Sequence, residues 1–480
     1  MRQKYHRPIL LFISILLLAG CKKYLTVQPE SSYTELQVYS SERAVQQALN
    51  GLYNDLADNQ LYGANMTTTS LELLGQRYNA TSTGTYTYSQ LQLYAYTQDS
   101  VEGIFDGIWQ KAYGTILNTN KFISMMDGTV KSGLLTQAHA DQMKGEAIAI
   151  RAFLHFDMLR LFGPVYSQTP TQSAIPYYRR PDGTTTPILT ANQVLDSVLA
   201  DLSQAETLLA GDPIISGGIT FTQDFYNGYR NERLNYYAVK GLMARAYLWG
   251  GNTSAAHDSA LQALNEGEKW FPWLKDSVAK DVLGPDRIFS PEVLFGVYNA
   301  NMYINYLAYF SPALLDNHIL TAQSARLANI FENNTNDYRY TTPVPSAGSW
   351  QTNGKSYPTF FKFADVADPT KTWRFIQPLL RKSELYYIVA ETDPNPTTSI
   401  ALLDTVRYHR NVVPLTIAAV IPTEVQKEYQ KEFWGEGQLF FYYKRNNKTS
   451  IPSGISGTAN ISMSATKYVV PLPLSETTPR

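Results

Sequence analysis

Apolar positions in this chain recur at helical spacing over most of its length. After Ser40 and Ser41, residue types that cap helices, Ala44, Ala48, Leu52 and Leu56 share one stripe, with Val45, Leu49 and Tyr53 beside it. From Ile104 a second stripe runs through Phe105, Trp109, Ala112, Ile116 and Ile123, with Tyr113 and Asn120 alongside. A third predicted helix covers about 137–162, with Met143, Ala147, Ile150, Leu154, Met158 and Leu161 inward and Gly163-Pro164 as its stop. Thr190 and Gln193 have the spacing of a capping box for a helix through Val194, Val198, Leu202, Ala205 and Leu209.

Two helix pairs come next. Residues 234–249 and 254–265 are separated by Gly250-Gly251-Asn252, and residues 379–391 and 398–410 by Asp393-Pro394-Asn395-Pro396. Each pair is about 30–35 residues long, the size of a tetratricopeptide unit. A last helix is predicted from Pro422-Thr423 to about Gly437. Two stretches, 60–100 and 269–376, lose the helical period. Instead they carry tyrosine and tryptophan among Thr, Asn, Gln and Pro, as in Tyr78, Tyr88, Tyr94, Tyr298, Tyr303, Tyr309, Trp350 and Tyr357. Long segments of this kind with so much aromatic content read as ordered functional loops rather than disorder.

Composition narrows the function. Charged residues are 17% of the 480, against about 25% in ordinary domains, which argues against a disordered or highly charged chain. A net charge of −1 removes the basic field that phosphate neutralisation requires, so no nucleic-acid partner is expected. The aromatic share is 13%, with 34 tyrosines, and that excess needs an explanation.

Arg2, Lys4 and Arg7 precede an apolar run from Ile9 to Ala19, too short for the roughly 20 residues of a membrane span. The run ends in Leu18-Ala19-Gly20-Cys21, just before the only cysteine. This resembles a bacterial lipobox, which implies cleavage of residues 1–20 as a lipoprotein signal peptide and acylation of Cys21. Each buried methylene contributes about 0.8 kcal/mol, so several acyl chains anchor durably. The plainer alternative is an ordinary cleavage site with a small residue after it.

No catalytic constellation emerges. His139, His155, His257, His318 and His409 lack metalloprotease spacing, and no nucleophile elbow, phosphate loop, dinucleotide fingerprint or calcium loop is present. Glu428, Glu432 and Glu436 share a helical face beside Lys427 and Lys431 and read as a solvated, salt-bridged face rather than as acid catalysts. Glu384 and Glu391, near Arg381 and Lys382, read as ion pairs locking helix to helix. No catalytic residue, metal ligand or cofactor is expected.

Tyrosine and tryptophan offer flat apolar faces to the C–H faces of sugar rings while their polar tips hydrogen-bond. The candidate ligand-binding residues are therefore Tyr78, Tyr88, Tyr94, Tyr303, Tyr306 and Trp350, with Asn79 and Asn305 as polar partners. For any single tyrosine, wedging between helices is the competing role.

Several blocks in order, taken with the lipobox, closely resemble the SusD/RagB family of Bacteroidota outer-membrane lipoproteins. They are Trp109, Tyr113, Ile116, Asn120 and Ile123; Glu146, Arg151, Ala152, Phe153, Phe156, Leu159, Phe162 and Gly163; the segments Arg381–Glu391 and Ala401–Arg407; Lys431–Gln438; and Pro471-Leu472-Pro473. Gln438 departs from the arginine of many relatives. The resemblance implies a mainly α SusD-like fold with tetratricopeptide-like helix pairs as scaffold and an irregular, loop-rich ligand-binding face. It implies one SusD-like domain over 21–480, with an N-terminal part to 220 and a C-terminal part from 221 that contains the irregular segment 269–376. It further implies a non-enzymatic, cell-surface oligosaccharide-binding lipoprotein, held in the outer membrane by lipid alone. The implied partner is a TonB-dependent, SusC-like outer-membrane barrel that receives the ligand. A peptide-binding member of the same family and a periplasmic helical-repeat scaffold lipoprotein are the alternatives.

Overall fold

The structure is a computed structural model and describes residues 39–80, 86–341, 344 and 346–477. The signal segment 1–20 and Cys21 lie outside the described residues. The chain divides into two units at Val45/Gln46. Of the first, only Tyr39–Val45 is described, a turn and the beginning of helix α1, Glu42–Leu56. The second unit, Gln46–Arg480, carries the fold.

Its scaffold is a run of helices in which each packs on the next. Helix α2 is Tyr86–Gln92, α3 Asp99–Lys131 and α4 Gln137–Phe162. They are succeeded by α5 Ala191–Leu208, α6 Tyr236–Trp249 and α7 Thr253–Gly267. Helix α4 packs on α3 and α5, α5 on α6, and α6 on α7. Nearly every side chain of α4 from Ala140 to Phe162 is buried, which makes it the central helix of this half, and its buried charges are paired, as Arg151 is with Asp201 and Glu146 with Arg230. The capping side chain of Gln193 accepts the Thr190 N–H at 3.1 Å, and Asn252 accepts the Ala255 N–H at 3.1 Å, so α5 and α7 begin where local spacing predicts. Gly163 stops α4 by close approach: a Cβ there would meet the Leu159 carbonyl oxygen at 2.5 Å.

The second pair is helix α9, Lys382–Thr392, and α10, Pro396–Tyr408. Helix α9 packs on α7 as well as on α10, so both pairs join one stack. The predicted helix 379–391 begins late, because Leu379–Arg381 belong to a strand. Strand β3, Val293–Tyr298, pairs antiparallel with β6, Ile376–Arg381, with Phe295 opposite Leu380 and Tyr298 opposite Ile376. Three further two-stranded ladders are β1 Ser173–Pro176 with β2 Ile188–Thr190, β4 Trp350–Gln351 with β5 Thr359–Phe360, and β7 Ser450–Pro452 with β8 Asn460–Ser462. The stretch 269–376 is thus less irregular than its pattern suggests, and it also carries helix α8, Met302–Tyr309.

The last predicted helix ends early, at Glu432, and a further helix follows beyond Gly437. Helix α11 is Ile421–Glu432 and α12 is Gln438–Arg445. Between them Gly435 and Gly437 take φ of 75° and 70°, and a Cβ on Gly437 would meet the Met66 carbonyl oxygen at 2.1 Å. Glycine alone satisfies both demands.

The solvated glutamate face expected on α11 is instead buried. Glu428, Glu432 and Glu436 are at most 2% exposed. Arg339 pairs with Asp337, Glu428 and Glu432; Arg381 with Glu432 and Glu436; Arg410 with Glu292 and Glu432; Arg407 with Glu428; and Lys362 with Glu436. Five cations meet five carboxylates, so the cluster is neutral as a whole, the condition under which buried charge is tolerated. The reason for the miss is that the matching arginines come from β6, the end of α10 and the loop around Arg339, 21 to 93 residues before their glutamates and beyond any helical spacing. Burial alone would raise the Glu432 carboxyl, but Arg410 and Arg381 more than offset this and hold it well below the usual carboxylate range. Glu384 and Glu391 do lock helix to helix, through Arg245 of α6 and Arg445 of α12, each at 2.6–2.7 Å.

Candidate functional site

The two tyrosine-rich stretches meet in space. The Tyr88 ring lies edge-on to Tyr309 at 6.2 Å, and the Asn79 N–H donates to the Thr321 carbonyl at 2.8 Å. Helix α8 lies at this junction because its inward side is pinned by amides. Asn305 exchanges hydrogen bonds with Asn59 at 2.8 and 3.2 Å and donates to the Gly63 carbonyl at 3.0 Å. Met302 and Tyr306 are also buried, which leaves Ile304 and Leu307 outward at 64% and 60% exposure.

Five of the eight candidate ligand residues present no face to solvent, which corrects the expectation for them. Tyr78 is fully buried, donates its hydroxyl to the Thr68 carbonyl at 2.9 Å, and packs on Phe310 and Trp434. Tyr94 is buried with its hydroxyl donating to the Leu74 carbonyl at 2.8 Å. Trp350 is wedged between Phe360 and Trp434. Tyr306 and Asn305 face inward from α8. Stacking on a ligand needs an open ring face, and these side chains have spent theirs on the core. Tyr88, Tyr303 and Asn79 remain half-buried at the surface.

Around Tyr303 the structure assembles an aromatic cluster that the sequence does not single out. Phe375 stands 4.8 Å from Tyr303 and 5.2 Å from Tyr298, and Tyr298 is 51% exposed. Phe375 directly precedes β6, and Tyr298 ends β3, the strand β6 pairs with. Tyr298 belongs to the tyrosine-rich stretch legible in the sequence, whereas Phe375 becomes visible only once the pairing is known. The Tyr303 hydroxyl donates to the Arg374 carbonyl at 2.5 Å. Burial, then the Asp365 carboxylate, pushes the Tyr303 phenol well above its ordinary value, so it stays a neutral donor. Arg374 lies 5.4 Å from both the Tyr303 and Phe375 rings and grips Asp365 through Nε and Nη2 at 2.7–2.9 Å.

Beyond α8, Asp316 accepts from Lys355 at 2.6 Å and from Tyr357 at 2.7 Å, and these two bonds hold its carboxyl below the usual range. Arg374 and Lys355 thus each have a counter-charge beside them, in Asp365 and Asp316. The result is an aromatic, partly apolar surface with polar edges and no net field, suited to neutral ligands with both C–H faces and hydroxyls. Among the described residues no group of three or more His, Cys, Asp or Glu is placed to hold a metal ion, and no helix is long and apolar enough to cross a membrane.

Residues 23–222 match the family SusD-like_3, described as "starch-binding associating with outer membrane". SusD-like protein P38 of Formosa agariphila is 25% identical over 229 residues, 45% of this chain and 39% of that protein. The chain thus spans about two fifths of that relative's length. A crystal structure of a SusD superfamily protein from Bacteroides thetaiotaomicron superposes with a TM-score of 0.71 at 20% identity, covering 91% of this chain and 97% of the other. A laminarin-binding SusD-like protein superposes with a TM-score of 0.63 at 15% identity, covering 85% and 92%. These two superpositions establish the fold.

Proposed function

We propose a function on the premise that the chain belongs to the SusD-like family over residues 23–222 and carries the SusD fold: it is a cell-surface lipoprotein that binds neutral oligosaccharides without cleaving them. Acylation of Cys21 holds it to the outer membrane, with the binding face toward the exterior. A TonB-dependent, SusC-like barrel receives the glycan. Family description and resemblance support the location and the partner. The observation that carries the binding reading is the charge-neutral aromatic cluster of Tyr298, Tyr303 and Phe375 beside the outward apolar side of α8.

The match to a starch-binding family and the superposition on a laminarin-binding protein suggest α- and β-glucans as first ligands to try. Calorimetric titration with maltoheptaose and laminariheptaose, then chromatography of the recovered sugar, tests the reading. Saturable binding with the sugar returned intact is expected. Product release, or binding of peptides in preference to any glycan, overturns it. Protease shaving of intact cells tests the location, with digestion of the protein expected and protection contradicting exposure.

A further inference from the structure

A separate cleft opens between α3 and the loop after β1. Its volume is about 400 Å³, within the range of about 300–1,000 Å³ typical of small-molecule sites. Tyr113, Leu117 and Tyr178 form its apolar walls, and Arg180, Ser475 and Glu476 its polar rim. The two tyrosine rings meet edge to face at 5.5 Å, making a corner with two aromatic surfaces. No residue of this cleft belongs to the aromatic face around α8.

The wall is anchored from behind at four backbone atoms within five residues. The Tyr113 hydroxyl donates to the Pro176 carbonyl at 3.0 Å. Asn120 Nδ2 donates to the carbonyls of Tyr178 and Arg180 at 3.1 and 3.3 Å, while its Oδ1 accepts from Arg151 at 3.0 Å. The Tyr178 N–H donates to His155 Nε2 at 3.0 Å, and the other ring nitrogen of His155 donates to the Arg151 carbonyl at 2.9 Å. His155 is also stacked on Tyr177 at 3.9 Å. Helices α3 and α4 thus hold the strand exit in one conformation, so the Tyr178 ring is set in place before any ligand arrives, which lowers the ordering cost of binding.

The rim selects the ligand's charge. Arg180 is paired with Asp182 at 3.3 Å, and Glu476 leaves the rim with one negative charge in excess, so an anion is disfavoured while a neutral ligand finds both donors and an acceptor there. Tyrosine faces below, with guanidinium donors, a carboxylate acceptor and a serine hydroxyl above, match a pyranose ring: C–H on one side, hydroxyls around the edge. We propose that this cleft is a second saccharide-binding site, which takes one or two neutral sugar units between Tyr113 and Tyr178, with their hydroxyls on Arg180 and Glu476. It rests on the carbohydrate reading above but uses a different surface.

The test is hydrogen–deuterium exchange of the full chain with and without saturating maltoheptaose or laminariheptaose, paired with calorimetry. Slower exchange in 178–185 is expected for the wild type and for Tyr298→Ala/Tyr303→Ala, and the ligand concentration that half-protects this segment should rise about tenfold in Tyr178→Ala and in Arg180→Ala. The Arg180 side chain is solvent-exposed, so its replacement leaves the fold intact, to be checked by an unchanged melting temperature. Loss of one aromatic surface should weaken the cleft's affinity by about tenfold. Glucan binding by calorimetry with unchanged exchange in 178–185 overturns the cleft alone. Absence of all glucan binding overturns both the cleft and the carbohydrate reading.

Discussion

The charge cluster around α11 and the aromatic face around α8 both read from sequence as solvent-facing, and the fold treats them in opposite ways. In the cluster, Glu428, Glu432 and Glu436 are enclosed by arginines from distant segments, and every charge is satisfied internally. On the aromatic face, Phe375 touches both Tyr298 and Tyr303, and all three leave part of their surface to solvent. The first region has used its polar groups to join β6, α10 and α11; the second keeps surface in reserve. Surface left unspent by folding, rather than aromatic or charged composition as such, is what marks a binding region here.

The sharpest way to break the comparison is to remove one charge from the cluster. Glu432→Ala leaves Arg381 with Glu436 and Arg410 with Glu292 but puts one buried cation in excess, and a stability loss of about 3–5 kcal/mol is expected in chemical denaturation. A loss below about 1 kcal/mol, the range of surface ion pairs, would show that the cluster is solvated after all.

Acidification should act on the interior and spare the face. Burial lowers the His155 pKa from 6.5 to about 3. A depressed folded pKa means the contribution is fully present above pH 6.5 and is lost as pH falls from 6.5 toward 3, at about 1.4 kcal/mol per pH unit for one proton. Glu432 adds to the loss once the pH drops below its ordinary value of 4.5. Denaturation midpoints of wild type and His155→Gln across this range should converge as pH falls; parallel curves would contradict the assignment.

On the face, Tyr298→Ala/Tyr303→Ala should weaken glucan binding by about tenfold, with the melting temperature nearly unchanged. Unaltered affinity in calorimetry would place the ligand elsewhere. The smallest effect belongs to Tyr78→Phe, which removes one buried hydroxyl and leaves the Thr68 carbonyl without that donor. About 1 kcal/mol of stability should be lost, with no change in affinity; a binding defect would return Tyr78 to the site.

Helix positions were largely legible because their signals are local. The stripe on α4, the Gln193 cap of α5 and the Asn252 cap of α7 each lie within a few residues. The strand at Leu379–Arg381 was not legible, since Ile376–Arg381 becomes a strand only by pairing with Val293–Tyr298, far earlier in the chain. The two tyrosine-rich stretches come together at Tyr88 and Tyr309, but they are not free of helix as their pattern predicts, since Tyr86–Gln92 and Met302–Tyr309 are helical. Which rings face outward was not readable: Tyr78 and Tyr303 stand in similar polar-aromatic surroundings in sequence, yet one meets Phe310 and Trp434 and the other meets Phe375.

The helical scaffold and the order of its long helices follow from local signals, because hydrophobic period, caps and glycine stops act over a few residues. Tertiary structure alone decided that the α11 glutamates are buried, that five of the eight candidate ligand residues serve the core, and that Tyr113 and Tyr178 enclose a cleft. Burial and exposure depend on what packs across a residue from far along the chain, as Arg381 does for Glu432, and no local pattern records that partner.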